Sequence, residues 1–436
     1  MKKLIIAIQC IAFCMAAVAQ EDVYPAKAYA GKLYITNGTI HVGNGQVIEN
    51  GTIEVNNGKI VQVGVNISVQ AGDAKVIDAK GKQVYPGLIL PVTDLGLKEI
   101  GNGVRGSNDF QELGDYNNSI RSVVAYNTDS KIINTLKANG ILLAGVTPQG
   151  GTISGSSSVV QLDAWNWEDA AYKMDNGIHL NMPTFISRPN RFAIFLGIQQ
   201  PQTDPTKEAL KKIDDIKYLF RAAKAYLQET THKETNLNYE ALKGLFNKTQ
   251  KLFVHGDQVK QMLIAIDFVK EFGFDVVIVG GSESFQIADL LQQYKIAVIL
   301  QDEHALPATE DDDVDQPFKT PAMLQKAGVL FALNDEHAES RYRNLPFNAG
   351  TAVAYGLTKE QALQAITLNS AKILGVDDKT GSLEAGKDAN IVISEGDILD
   401  MRTSIILHAF IQGREVSLDN KQKQLYERYK YKYELK

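Results

Sequence analysis

Residues 252–280 read LFVHGDQVKQMLIAIDFVKEFGFDVVIVG. An apolar run, Leu252–His255, gives way to a segment in which Met262, Ile266 and Val269 recur at three- and four-residue spacing. A second apolar run, Val276–Gly280, follows. Short buried strand, amphipathic helix, short buried strand is the unit from which parallel sheets are built. The unit extends in both directions. Downstream strands are predicted at Ala297–Gln301 and Val329–Asn334, and upstream ones at Leu88–Thr93, Ile141–Thr147, Val159–Leu162 and Met182–Ile186. Eight strands in a βα array is the number that closes a barrel.

Residues 206–250 interrupt the array between the fourth and fifth strands. They are charged and amphipathic, and read as a helical pair covering the barrel surface. Before the barrel, Lys32–Tyr85 is a series of short β-rich segments broken by turns, including Asn37-Gly38, Gly43-Asn44-Gly45 and Asn56-Asn57-Gly58. Asn-Gly between alternating apolar residues is a strong hairpin signal. After the helical region that ends near Leu374, β signals return at Ala389–Ser394 and Ile405–Gln412, so the chain is expected to rejoin its opening β domain. A polar, Lys- and Tyr-rich tail, residues 418–436, ends it. The expected divisions are a leader at 1–19, β domain at 20–86, barrel at 87–375, β domain again at 376–417, and the tail.

The leader is read from Lys2-Lys3, the apolar Leu4–Val18 and the small-x-small Ala17-Val18-Ala19, the pattern of a cleaved export signal. That predicts a bacterial periplasmic protein. Cleavage before Cys14 to give a lipoprotein is disfavoured by Phe13. Both cysteines, Cys10 and Cys14, fall within the leader, which excludes disulfides and thiolate chemistry from the rest. The formal net charge of −6, more negative still without Lys2 and Lys3, argues against nucleic acid or anionic lipid as a partner. No other segment has the apolar length of a membrane span.

Ionisable residues at strand ends are the candidates for chemistry. His255 ends the fifth strand, Asp302-Glu303-His304 follows the seventh, and Asp335-Glu336-His337 follows the eighth. In a barrel these emerge on the catalytic face, where imidazole and carboxylate together suit zinc, iron or manganese. The Gly/Ser-rich stretch Gly150–Ser158 follows the second strand and reads as a ligand-contacting loop, with Gly150, Gly151, Ser154 and Ser156 as candidates, or as simple turn-making. Gly101–Gly106 has the spacing of a dinucleotide loop, but no strand precedes it and no helix opens after it, so it reads as an ordinary loop.

Three segments resemble the amidohydrolase superfamily, and in particular its exported, imidazolonepropionase-like members. They are Val76–Lys82 with Pro86-Gly87-Leu88-Ile89, Ala365–Gly375, and Gly381–Val392. The resemblance implies a TIM (β/α)8 barrel flanked by a β-sandwich built from both chain ends. It further implies hydrolysis of C–N bonds by water activated on one or two divalent metals. It places Val92-Thr93-Asp94 where relatives carry a His-x-His pair, and Ser282, a candidate substrate contact, where they carry the sixth-strand histidine. No bridging lysine stands near Ser187-Arg188-Pro189.

His255 and Asp335 match the retained ligand positions, with Asp335 also the expected general base. Asp94, His304 and His337 are further donors from which a single-metal site would be rebuilt. Two functional readings follow: an amide, cyclic-amide or small-peptide hydrolase with an altered metal site, or a non-catalytic protein that keeps barrel and pocket. Its partners would be a small molecule or peptide, and a second copy or an active relative. Hydrolysis by carboxylates alone is a third reading.

Overall fold

The computed structural model describes residues 23–70, 72–99, 109–186, 204–229, 231–301, 303–307, 311–335 and 341–435. The leader, the Gly101–Gly106 loop, Ser187-Arg188-Pro189, Asp302, Glu336 and His337 lie outside the described residues. No helix among the described residues is long and apolar enough to cross a membrane.

Both chain ends do build one β domain, as a single continuous sheet. Its strands are β1 (Lys32–His41), β2 (Val47–Asn56), β3 (Lys59–Gly64), β4 (Lys75–Asp78) and β5 (Gln83–Pro86) from the start of the chain. From its end come β14 (Ile391–Ser394), β15 (Ile406–Ile411) and β16 (Arg414–Glu415). The order is β16-β15-β14-β5-β1-β2-β3, with β4 beside β1. Asn57 and Gly58, both at positive φ, turn β2 into β3 as the Asn-Gly signal predicts. Asn37-Gly38 does not end a strand. It is absorbed into β1 as an irregularity, with Asn37 at φ 59°. The sheet curls round its own core of Leu33, Ile35, Ile53, Val84, Ile391 and Phe410. The β2–β3 turn meets the β15–β16 turn so closely that a Cβ on Gly58 would lie 2.6 Å from the Gln412 carbonyl oxygen.

The barrel sheet contains eight strands: β6 (Leu88–Thr93), β7 (Ile141–Val146), β8 (Ile153–Gln161), β9 (Ala171–Asn181), β10 (Lys251–Gly256), β11 (Val276–Gly280), β12 (Ala297–Leu300) and β13 (Phe331–Leu333). They stand in sequence order across the sheet. The four later strands lie where the apolar runs predict. The third and fourth differ. β8 runs antiparallel to both β7 and β9, so a double hairpin replaces one βα unit. The fourth strand lies before Met182–Ile186, at Ala171–Asn181. The serines are strand residues because their hydroxyls find partners in the interior. Ser156 and Ser157 donate to Asp175 Oδ1 and Asn176 Oδ1, both at 2.9 Å, and Ser158 Oγ accepts from the Asp175 N–H.

The remaining gap, between β13 and β6, is closed by a side chain. Buried Asn334 accepts from the Val92 N–H at 3.3 Å and donates to the Val92 carbonyl at 2.9 Å, in place of a strand partner. Pro91 has no N–H to give and leaves a shift in the β6–β7 register. There Gly145 lies so close that a Cβ would sit 2.0 Å from the Pro91 carbonyl oxygen. Gly145→Ala is therefore expected to destabilise the protein by about 1–3 kcal/mol. Urea unfolding checks this, and an unmoved midpoint would show that β6 gives way freely.

The insertion carries one long helix, Pro205–Gln228, capped by Asp204, and two short ones, Leu237–Glu240 and Lys243–Phe246. Ala209, Ile213, Ile216, Phe220 and Ala223 bury one face of the long helix. The tail forms a mostly exposed helix, Lys421–Lys432, with no buried residue.

Candidate functional site

The C-terminal ends of β6, β7, β9 and β10 surround a cavity of about 350 Å³ lined by Asp94, Gln149, Gly150, Asn181, His255 and Tyr342 among others. Strand direction explains the gathering, because parallel strands deliver their following loops to one face. Asp94, next after β6, is buried. It accepts from the Tyr342 hydroxyl and, at 3.4 Å, from the Gln149 side-chain amide, with Lys98 Nζ 3.9 Å away. Asn181 donates to the Gly151 carbonyl and to Ser154 Oγ, both at 2.9 Å, which ties β9 to the β7–β8 turn.

His255 meets a second histidine that sequence reasoning missed. His179 Nδ1 and His255 Nε2 share a hydrogen bond of 2.8 Å, and His179 stacks on Phe253 with ring centroids 4.7 Å apart. Burial, and then the neighbouring imidazole, hold His179 well below its ordinary pKa, and burial pulls His255 down to about 4. At neutral pH both rings are uncharged, so one shared proton satisfies the bond. His179 Nε2 is buried without a partner.

Asp335 is buried at the end of the barrel and accepts from Asn348 Nδ2 at 3.2 Å. Glu303 is 3 % exposed, and neither of its carboxylate oxygens has a hydrogen-bond partner. Burial raises its pKa well above the ordinary carboxyl value, and the Asp335 charge raises it further.

The other sequence candidates separate. His304 is exposed, bonded to Thr351 Oγ1 at 3.2 Å and edge-on to Phe318, outside the mouth cavity. Ser282 lines a different cavity, beside Asp257. Ser154 and Ser156 lie within β8 and not in a loop, and Ser156 faces Arg121 and Asp175 in another depression. Gly150 and Gly151 form the turn before β8, both at positive φ.

Among the described residues no three His, Asp or Glu side chains converge as a metal cluster. A tight zinc site needs three or four protein ligands. Here Val92 offers no donor atom, Asp94 is engaged by Tyr342 and Gln149, and His255 is engaged by His179. This donor set does not fit the divalent metal that the superfamily typically binds.

The amidohydrolase family profile matches residues 206–416. An amidohydrolase from Thermotoga maritima of known crystal structure is 27 % identical, with a TM-score of 0.75, over 88 % of this chain and 99 % of that one. The chain belongs to the amidohydrolase superfamily. An imidazolonepropionase from Picrophilus torridus is 29 % identical over 200 residues, 44 % of this chain and 47 % of the relative. The match thus spans about half the length of that relative. A prolidase solved with N-methylphosphonate-L-proline shares the superfamily fold at 14 % identity and a TM-score of 0.54, over 88 % of this chain and 99 % of its own. The superfamily's hydrolases of C–N bonds are therefore this chain's kin, and its barrel and two-ended β domain are theirs.

Sequence reading placed Asp94, His255 and Gly150 on one mouth. His179 carried a usable signal, the apolar alternation Gly177-Ile178-His179-Leu180, but Tyr342 carried none. It reaches Asp94 across 248 residues of chain.

Proposed function

We propose that this superfamily member binds a small amide or cyclic-amide compound at its barrel mouth without the metal-dependent hydrolytic step of its relatives. The observation that carries this is the state of the two best donors in the mouth. Asp94 is bonded to Tyr342, and His255 to His179, both through protein hydrogen bonds. Around them stand neutral donors and acceptors (Gln149, Asn181, Thr93 and Thr147) with Val92 and Pro148 as apolar wall. A compact neutral amide needs that mixture of donor, acceptor and apolar contact. Export belongs to the same proposal, supported by Lys2-Lys3 and the apolar segment after it.

The test is elemental analysis of the purified full chain, expressed with zinc, iron and manganese supplied, beside a His255→Ala/Asp335→Ala variant. The expected result is substoichiometric metal in both, with saturable binding of cyclic amides and no turnover. About one equivalent of metal in the parent, lost in the variant, would overturn the proposal. It would restore the second reading, a hydrolase with an altered metal site. One observation favours that reading: Asp335 stays buried and hydrogen-bonded at the eighth-strand end.

A further inference from the structure

A second cavity, of about 270 Å³, opens beside the ends of β10, β11 and β12 under the helix Gln316–Ala327. Four of its lining residues are carboxylates (Asp257, Glu283, Glu303 and Asp312), and no Lys, Arg or His is among the described lining residues. Two of these carboxylates are held in position by backbone. Glu283 accepts from the Val259 N–H at 2.7 Å, and Asp257 from the Ser282 N–H at 3.3 Å. Glu303 differs, since it is almost wholly buried with both oxygens unpartnered. A buried carboxyl without hydrogen bonds is costly and uncommon, and a donor arriving in the cavity removes that cost.

The lining also includes the apolar side chains of Ile186, Ala305, Leu306 and Pro317. Leu306 is 85 % exposed at this rim. A bare metal ion has no use for these apolar groups, and the described acidic groups do not converge as metal ligands. A molecule with a cationic head and a short aliphatic body uses both the acidic and the apolar lining residues.

We propose that this cavity is a binding site for a small organic cation, an ammonium or guanidinium compound whose head donates to Glu303 and whose aliphatic chain lies against Leu306. The site is separate from the mouth cavity and does not depend on what that cavity binds.

Calorimetric titration of the full chain at low salt tests it, with agmatine as a free cation, Gly-Arg-Gly as a peptide-borne one, and n-butylurea as a neutral control. Saturable binding of either cation but not of n-butylurea is expected, weakened about tenfold or more in Glu303→Gln, where a charge-assisted hydrogen bond is lost. Leu306→Ser, at an exposed position, is expected to weaken agmatine several-fold while circular dichroism and Tm stay unchanged. Absence of saturable cation binding would overturn the site, as would equal binding of n-butylurea or equal affinity in Glu303→Gln. Should Glu303→Gln fail to fold, Leu306→Ser decides, and an unchanged agmatine affinity there rejects the proposal.

Discussion

Asp163→Ala is expected to lower stability by about 3–5 kcal/mol, because it strands a buried ammonium. Lys137 is 3 % exposed and donates to Asp163 Oδ1 at 3.0 Å, its partner being equally buried. The other carboxylate oxygen accepts from the Ala26 N–H at 2.8 Å and lies 3.6 Å from Arg414. Arg414 in turn donates to the carbonyls of Ala26 and Asp163. One carboxylate thus joins the first described segment, the end of β8 and the last strand of the β domain. A midpoint of thermal unfolding lowered by many degrees is the expected reading. Recovery in Asp163→Leu/Lys137→Met would show that the loss comes from the stranded charge, since apolar replacement of both partners removes the desolvation cost. A single variant that melts with the parent would show that water reaches Lys137.

Asn334→Ala should be nearly as damaging, by about 2–5 kcal/mol. It leaves the Val92 N–H and carbonyl unpaired in the interior at roughly 1–3 kcal/mol each. Asn334 is fully buried, and its own N–H is held by the Leu300 carbonyl, so water has no easy route to replace the side chain. Asn334→Asp is not a rescue, because a carboxylate cannot donate to the Val92 carbonyl. Hydrogen exchange over Leu88–Thr93 is the discriminating measurement. Faster exchange confined to this strand would show the barrel opening at its seam, beside Thr93 and Asp94 of the mouth. Unchanged exchange would mean the helices packed there close the barrel unaided.

How far the sequence could be read depended on how local each determinant was. β10 to β13 are buried on both faces, so their apolar runs stand out and their ends fall within about two residues of the reading. The direction of β8 leaves no such trace. Its Gly155-Ser156-Ser157-Ser158 reads as a loop, and only the carboxylate and amides of Asp175 and Asn176 on the next strand make it a buried one. The same limit applies to the site. Position at a strand end was enough to place His255 at the mouth, and the family resemblance brought in Asp94. Their engagement by Tyr342 and His179 is a matter of tertiary packing, as is the isolation of Glu303 within an Asp-Glu-His triplet that looks ordinary in sequence.

The two-ended β domain has a kinetic consequence. Tyr85 and Ile398, hydrogen-bonded neighbours where β5 meets the returning chain, are 313 residues apart. Closing a loop of that size costs about 5 kcal/mol of chain entropy beyond a constant term, and contacts of such high order form late. Until β14 arrives, β5 presents an unpaired edge, the kind of template on which chains aggregate. Refolding should therefore be slowest and most concentration-sensitive at the one step where the protein's two ends find each other.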